Sequence, residues 1–252
     1  MSFTILSIYR LFFITQGDIL YALSKDGRLF KIKKTPYFSA LSADKKFLSG
    51  ISFDGEYTHI FETPFGFTDE SEKKITSLFG YFYYPALNTN QKKIALIEAD
   101  LLKPRPQGEL CIYQKKIKKW HKQIVLDAKI KAPCFLSDDS VLYINPDNTL
   151  IKHRQDAAPV NIALNVQFFN VSSDEKRLAT FNGKRIEVYD LTTLGQTGSF
   201  SAAYITALAF EGNKILYATS YENRNAIYIT DLNKAELLTQ TFEPVILMDT
   251  SI

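Results

Sequence analysis

The chain has 252 residues, of which 46% are hydrophobic and 13% aromatic, so it can bury a sizeable core. Its net charge of +3 is too small to indicate nucleic acid or an anionic membrane as a partner without a concentrated basic patch. No segment approaches the roughly 20 apolar residues of a membrane helix, and residues 1–13 lack the basic start of a signal peptide. We therefore expect a globular, cytoplasmic protein with no membrane partner.

A short turn motif recurs along the chain: Ser or Asn, then Asp or Asn two residues later, then Lys and an apolar residue. These polar residues suit turns because their short side chains bond to nearby backbone amides. The full motif lies at 42–46, 88–92 and 172–176, and shorter turns that we align with it lie at 16–18, 137–139 and 211–213. The alternation of apolar and polar residues between the turns indicates strands. The turns are spaced by about 27 to 47 residues, and most of these spacings are typical of four-stranded propeller blades.

Each repeat also contains a second turn, which we place between its second and third strands. The second turns lie at 25–27, 54–55, 100–108, 146–148, 182–183 and 222–225. Asn182 and Gly183 show the signature best, because a two-residue hairpin turn requires positive φ. We predict an all-β fold, a closed β-propeller of six four-stranded antiparallel blades, as a single domain over residues 1–252.

The two ends of the chain do not hold complete repeats. Between Asp18 and Asp44 there is room for strands at 19–24 and 28–33, but not for a fourth strand. An apolar segment, 242–249, is left over after the sixth repeat. We expect it to complete the N-terminal blade, since propellers usually close in this way and so remove open sheet edges. The strand that it supplies is left open.

The turn motifs and the strand endings at 188–191 and 229–232 resemble the β-propeller superfamily, with blades of the TolB type or similar to WD repeats. The resemblance covers almost the whole chain. It implies the fold but no single activity, because propellers host hydrolases, lyases, receptors and scaffolds. The chain lacks the paired Gly-His and Trp-Asp of the strict WD repeat, and its lone Trp120 lies in a basic loop.

Residues with catalytic or metal-binding chemistry are few. His59, His121 and His153 lack the spaced carboxylate, Cys or second His of a metal or triad site. Cys111 and Cys134 lie in apolar, strand-like contexts that favour reduced buried thiols over a disulfide or a metal site. Acidic residues in the turns are expected to cap backbone amides rather than bind calcium. The sequence therefore predicts no catalytic residue, no metal, no cofactor and no enzymatic activity.

Aromatic and Arg residues collect where the second turns and the connections between repeats are expected to lie. These residue types dominate binding hot spots, although core aromatics and ordinary turn charges are the alternative. The candidate partner-binding residues are Tyr57, Tyr81, Tyr83, Lys103, Arg105, Arg185, Tyr221 and Arg224. Proline follows both Lys103 and Arg105 and keeps them extended, so the long loop is expected to project toward an acidic surface of the partner.

A basic segment at 115–122, which contains Trp120, is the alternative partner-binding site. We expect it to lie in a solvated hairpin between the third and fourth strands of its blade. We predict a protein-binding module, monomeric on its own, such as a complex subunit, a scaffold or an immunity protein. A hydrolase or lyase with a site at the axial mouth is the first alternative. Nucleic-acid binding through the basic segment is the second.

Overall fold

The computed structural model describes residues 12–16, 19–23, 29–34, 37–41, 47–64, 72–99, 107–117, 119–129, 131, 133–222, 224–241 and 246–247. Over these residues the chain forms strands and turns without a helix. Accordingly, no helix in this part of the chain is long and apolar enough to cross a membrane.

The strands alternate with short turns throughout. The first twelve are β1 (Phe12–Gln16), β2 (Ile19–Leu23), β3 (Leu29–Lys34), β4 (Tyr37–Leu41), β5 (Phe47–Phe53), β6 (Tyr57–Pro64), β7 (Lys73–Phe79), β8 (Phe82–Leu87), β9 (Lys93–Ala99), β10 (Gln107–Lys116), β11 (Lys119–Lys129) and β12 (Cys134–Phe135). The remaining strands are β13 (Val141–Ile144), β14 (Leu150–His153), β15 (Val160–Ala163), β16 (Phe168–Val171), β17 (Arg177–Phe181), β18 (Arg185–Asp190), β19 (Gln196–Ser201), β20 (Ile205–Glu211), β21 (Lys214–Tyr221), β22 (Arg224–Thr230), β23 (Ala235–Thr241) and β24 (Ile246–Leu247).

These strands form six antiparallel sheets of four, which confirms the predicted number of blades and of strands in each. From the first sheet to the sixth, the orders are β24-β1-β2-β3, β4-β5-β6-β7, β8-β9-β10-β11, β12-β13-β14-β15, β16-β17-β18-β19 and β20-β21-β22-β23. Contacts group the chain into two compact units, the first made of residues 1–34 and 167–252 and the second of residues 35–166. The single domain stays a prediction.

The first sheet joins the two ends of the chain, as predicted. Strand β24 pairs with β1, with Ile14 opposite Leu247 and Thr15 opposite Ile246. In the first unit, β16 and β20 are the first strands of the fifth and sixth sheets, and they contact each other. Strand β24 contacts β20 in the same way. The C-terminal strand therefore takes the first position in its sheet. The strands predicted at 19–24 and 28–33 are the third and fourth of this sheet, so their placement as second and third was wrong.

The core of the second unit lies on both faces of its middle sheet. Ile94 and Leu96 of β9 face the second sheet and pack in one cluster with Ile60. Ile97 of the same strand faces the other way and packs with Phe135 of the fourth sheet. Strand β9 is therefore buried on both faces, which explains its continuous apolar run.

In the first unit, the fifth and sixth sheets share a core. Phe181 and Val188 of the fifth sheet pack with Leu208 and Phe210 of the sixth. Phe181 also stacks on Phe168, with 5.5 Å between ring centroids. Large flat side chains on facing sheets thus fill the space between them, as their abundance in the sequence indicated.

The turn motif works as expected where the structure describes it. The Oδ1 atom of Asn88 accepts hydrogen bonds from the backbone N–H of Lys92 and of Lys93, at 3.0 and 2.8 Å. Ser172 Oγ accepts from the N–H of Arg177 at 3.0 Å and donates to Asp174 at 2.6 Å. The copy at 42–46 lies outside the described residues.

Candidate functional site

The turn between β5 and β6 is a rigid corner of the second sheet. Asp54 Oδ1 accepts hydrogen bonds from the N–H of Tyr57 at 2.8 Å and of Glu56 at 3.0 Å. These two amides lower the pKa of Asp54 to about 2, so the carboxylate is charged at neutral pH. Gly55 supplies the positive φ of the turn, at 109°. Asp54 therefore fixes where the aromatic side chains on either side of the turn are placed.

Five aromatic side chains lie at this corner, and we call them the aromatic end: Phe53, Tyr57, Phe79, Tyr81 and Tyr83. Phe53 meets Tyr81 edge to face, with 4.7 Å between ring centroids, and Tyr81 meets Tyr83 at the same distance. Tyr57 meets Phe79 at 5.7 Å. Phe79 is 70% exposed, Phe53 and Tyr57 are also exposed, and the other two rings are half-buried.

The connection between β7 and β8 is held firmly under these rings. The hydroxyl of the buried Thr58 donates to the carbonyl of Gly80 at 2.6 Å and accepts from the N–H of Phe82 at 3.1 Å. The N–H of Gly80 donates to the carbonyl of Glu56 at 3.0 Å. Phe82 is buried among apolar side chains of the second and third sheets. The aromatic end therefore presents its rings on a fixed backbone.

Three polar side chains form a hydrogen-bonded line beside the aromatic end. His59 Nε2 lies 2.9 Å from Asp54 Oδ2, and His59 Nδ1 lies 2.9 Å from Ser77 Oγ. If Nε2 carries the proton, His59 donates to Asp54 and accepts from Ser77, as a general base beside a hydroxyl does. The same Asp54 carboxylate caps the turn, so we interpret the line as a support for the corner. Our statement that His59 has no spaced carboxylate was wrong.

In the first unit, the predicted Arg185 and Tyr221 lie on either side of the connection between β19 and β20. Tyr221 packs on Tyr204 of that connection, with 4.4 Å between ring centroids, and both rings are about half exposed. Arg185 is exposed and donates to Ser199 at 2.7 Å. Arg224 begins β22, but its side chain is outside the described part of the chain. These residues form a smaller aromatic pair with one cation nearby.

Of the candidates in the second unit, Tyr81 and Tyr83 contact each other, whereas Tyr57 contacts Phe79. Lys103 and Arg105 lie outside the described residues. The sequence analysis missed Phe53, Phe79 and the pairing partner Tyr204. Phe79 could have been found, because it is the last residue before the glycine that ends its strand.

The basic segment forms the tip of the β10–β11 hairpin, as predicted for third and fourth strands. Lys116 pairs with Lys119 across the turn, and Lys115 pairs with Trp120. Trp120 and His121 lie in β11, so their assignment to a loop was wrong. The Lys115 ammonium lies 5.8 Å from the centre of the Trp120 ring, which packs partly against the core.

One group of possible metal ligands lies at the base of this hairpin. Glu98, Glu109 and Cys111 have ligand atoms within 4.8 Å of one another. Lys122 Nζ lies 2.6 Å from Glu98, and the Cys111 thiol donates to the same carboxylate at 3.3 Å. Burial raises the pKa of Cys111 to about 12, so the thiol keeps its proton. The Glu98 carboxylate is therefore paired with the Lys122 ammonium and accepts from the Cys111 thiol. Neither cysteine forms a disulfide; Cys111 is buried as predicted, while Cys134 is half-buried.

Comparison with known proteins finds no matching family model and no matching curated protein. Among solved structures, the chain is similar to TolB from Acinetobacter baumannii, with 14% identity and a TM-score of 0.67 over 95% of this chain. The match covers 66% of the TolB chain, just under two thirds of its length. Apo AztD from Citrobacter koseri matches with 9% identity and a TM-score of 0.56, over 95% of this chain and 97% of that one. Both are β-propeller proteins, and at these identities the likeness shows the fold: this chain has a β-propeller fold of the TolB type.

Proposed function

We propose that the protein is a non-enzymatic module that binds another protein with the aromatic end of its second sheet. The observation that carries the proposal is that two groups of packed rings lie near one turn of the second sheet, and three of the five rings are exposed. The groups are the pair Tyr57 and Phe79 and the trio Phe53, Tyr81 and Tyr83. Exposed aromatic side chains that lie together mark interaction sites, since scattered single ones are ordinary on a protein surface.

The rigid backbone beneath the rings supports a binding role. Association costs free energy for each side chain that must be ordered, and rings that already pack edge to face have little freedom left to lose. The hydroxyl groups of Tyr57 and Tyr81 add polar contacts to a large apolar area, which is the combination found at binding hot spots. We therefore expect these rings to form the centre of the interface.

The protein acts, on this proposal, in the cytoplasm as a monomer that holds its partner in a complex. A subunit of an assembly, a scaffold and an immunity protein that neutralises a toxin all fit such a surface. The β-propeller fold is compatible with each of these roles and with enzymatic ones. The polar residues beside the aromatic end favour binding, because Asp54 and His59 are engaged in holding the turn.

The test is the double substitution Phe79→Ala with Tyr81→Ala. A photo-crosslinking amino acid at position 79 first captures the partner from source cells, and the purified pair is then measured by calorimetry. Loss of two hot-spot rings should weaken binding by about 2 kcal/mol or more, which is roughly thirtyfold. Leu164→Ala is the matched control, because Leu164 is 65% exposed in the same unit but lies outside the aromatic end.

A second variant decides between the two aromatic surfaces. Tyr204→Ala with Tyr221→Ala removes the exposed pair of the first unit and should leave the affinity unchanged. The proposal is wrong if this variant loses the partner while the double substitution at Phe79 and Tyr81 keeps it.

A further inference from the structure

The β10–β11 hairpin extends past the strand beside it. Pairing between β9 and β10 ends at Gln114, which lies opposite Lys93. Beyond this point Lys116 and Lys119 pair only with each other, and Ile117 occupies the turn. The N–H of Lys115 still donates to the carbonyl of Lys92 at 2.8 Å, so the hairpin extends past the neighbouring strand only at its tip, residues 116–119.

Ile117 at the apex is an unusual residue for its backbone conformation. Its φ is +56°, in the left-handed region that β-branched side chains disfavour and that two-residue hairpin turns normally fill with Asn, Asp or Gly. Its side chain is 97% exposed, so no packing offsets this strain. Ile117 is the sole β-branched residue with positive φ in the part of the chain that the structure describes. Neither folding of the turn nor burial explains an isoleucine here.

Lysine side chains surround this apolar apex. Lys115, Lys116 and Lys119 are exposed. Residues 113–122 contain no carboxylate. At the base, the half-buried Trp120 lies under Lys115 and against the core, which anchors the hairpin. The tip thus combines a dense positive charge with one exposed aliphatic group.

We propose that this tip docks on an anionic lipid bilayer, with Ile117 entering the interface and the lysines lying among the headgroups. Each lysine near an anionic leaflet is attracted to it, and an aliphatic side chain gains by leaving water for the acyl boundary. Nucleic acid would attract the lysines but offers no apolar layer to Ile117. A protein would need an apolar pocket with an acidic rim that matches the convex tip, whereas a bilayer needs no matching shape.

This proposal is independent of the protein-binding function proposed for the aromatic end. The low net charge led us to expect no membrane partner in the absence of a concentrated basic patch, and the hairpin tip is such a patch. Three exposed lysines and one aliphatic side chain give a weak and reversible attachment. The tip would therefore bring the protein to a membrane surface without inserting it.

The test is sedimentation of the purified protein with sucrose-loaded vesicles. Wild-type protein should bind vesicles of phosphatidylcholine with phosphatidylserine and not vesicles of phosphatidylcholine alone. Lys116→Glu with Lys119→Glu should weaken binding by about tenfold or more. Ile117→Asn should weaken it roughly tenfold, because the apolar contact is lost. Lys176→Glu with Lys234→Glu reverses two exposed lysines in the first unit and should have little effect.

Thermal unfolding separates this role from a structural one. Asn accepts the left-handed conformation, so Ile117→Asn should raise the unfolding midpoint slightly while it weakens vesicle binding. Equal binding to both kinds of vesicle, or full binding by either hairpin variant, would overturn the proposal. The protein is also tested with a single-stranded oligonucleotide. If the lysine variant loses this binding and Ile117→Asn keeps it, the membrane proposal is overturned and the tip is assigned to nucleic acid.

Discussion

Single residues in the left-handed region show what turn chemistry can and cannot predict. Asp139 and Asn148 have positive φ in turns that the sequence motif identified, because their short polar side chains tolerate this conformation. Tyr84 and Tyr204 also have positive φ, at 50° and 57°, in or next to connections between sheets. No local rule favours tyrosine there. These positions were not predictable, since the surrounding sheets impose the conformation.

Asp54 provides a test at this scale. Its folded-state pKa of about 2 lies below the usual value of 3.8, so its charged form is favoured in the folded state. This contribution to the free energy of unfolding is present above pH 4 and is lost as the pH falls toward 2. Asp54→Asn keeps an acceptor but cannot titrate. Urea unfolding between pH 2 and 5 should therefore show a smaller loss of stability in Asp54→Asn than in the wild type. Identical pH profiles would contradict the assignment.

Among the structural elements, the connection from β7 to β8 matters most to the candidate site. The sequence predicted that one or two tyrosines at 79–85 would be exposed, whereas all three are half-buried. It did not predict the contact of Tyr57 with Phe79, because this contact depends on the register of β6 against β7. Tyr57 lies opposite Phe79, and His59 lies opposite Ser77. Such cross-strand pairs depend on how two strands are aligned, and this alignment cannot be derived from a single sequence. The repeat pattern therefore predicted the strands, but predicting the candidate site would also have required the register between them.

Thr58 connects this element to its neighbours through one buried hydroxyl. Thr58→Val keeps the shape but leaves the carbonyl of Gly80 and the N–H of Phe82 without that partner. The free energy of unfolding should fall by about 1–3 kcal/mol, and the partner should bind more weakly because the rings above lose their support. Thr58→Ser keeps the hydroxyl and is the control. Chemical denaturation measures the first effect and calorimetry the second; equal values for the Val and Ser variants would exclude this role.

For the whole molecule, the repeats predicted six sheets of four strands, and the structure has them. The error at the N-terminus arose because one turn motif stood between second and third strands, where it was taken for the first turn. Turn residues are similar at either place, since both turns need capped amides. The pairing of β24 with β1, together with its contact with β20, distinguishes the two assignments.

Cooperative unfolding tests whether the chain is a single domain. Thr58→Val lies in the second unit, and Asn182→Ala removes an acceptor for the N–H groups of Lys184 and Arg185 in the first. In a single domain, both substitutions should lower the midpoint of the same urea transition without changing its slope. Two transitions, each sensitive to one variant, would instead identify two independent domains.

The pairing of β1 with β24 also has a consequence during synthesis on the ribosome. Strand β1 has no partner on one edge until β24 is synthesised, about 230 residues later. At the usual rates of translation this delay lasts roughly ten to fifty seconds. For that time three apolar strands carry an open edge that can pair with other nascent chains. We expect the first sheet to be the last to form, and a chaperone that shields extended segments to raise the yield of native protein.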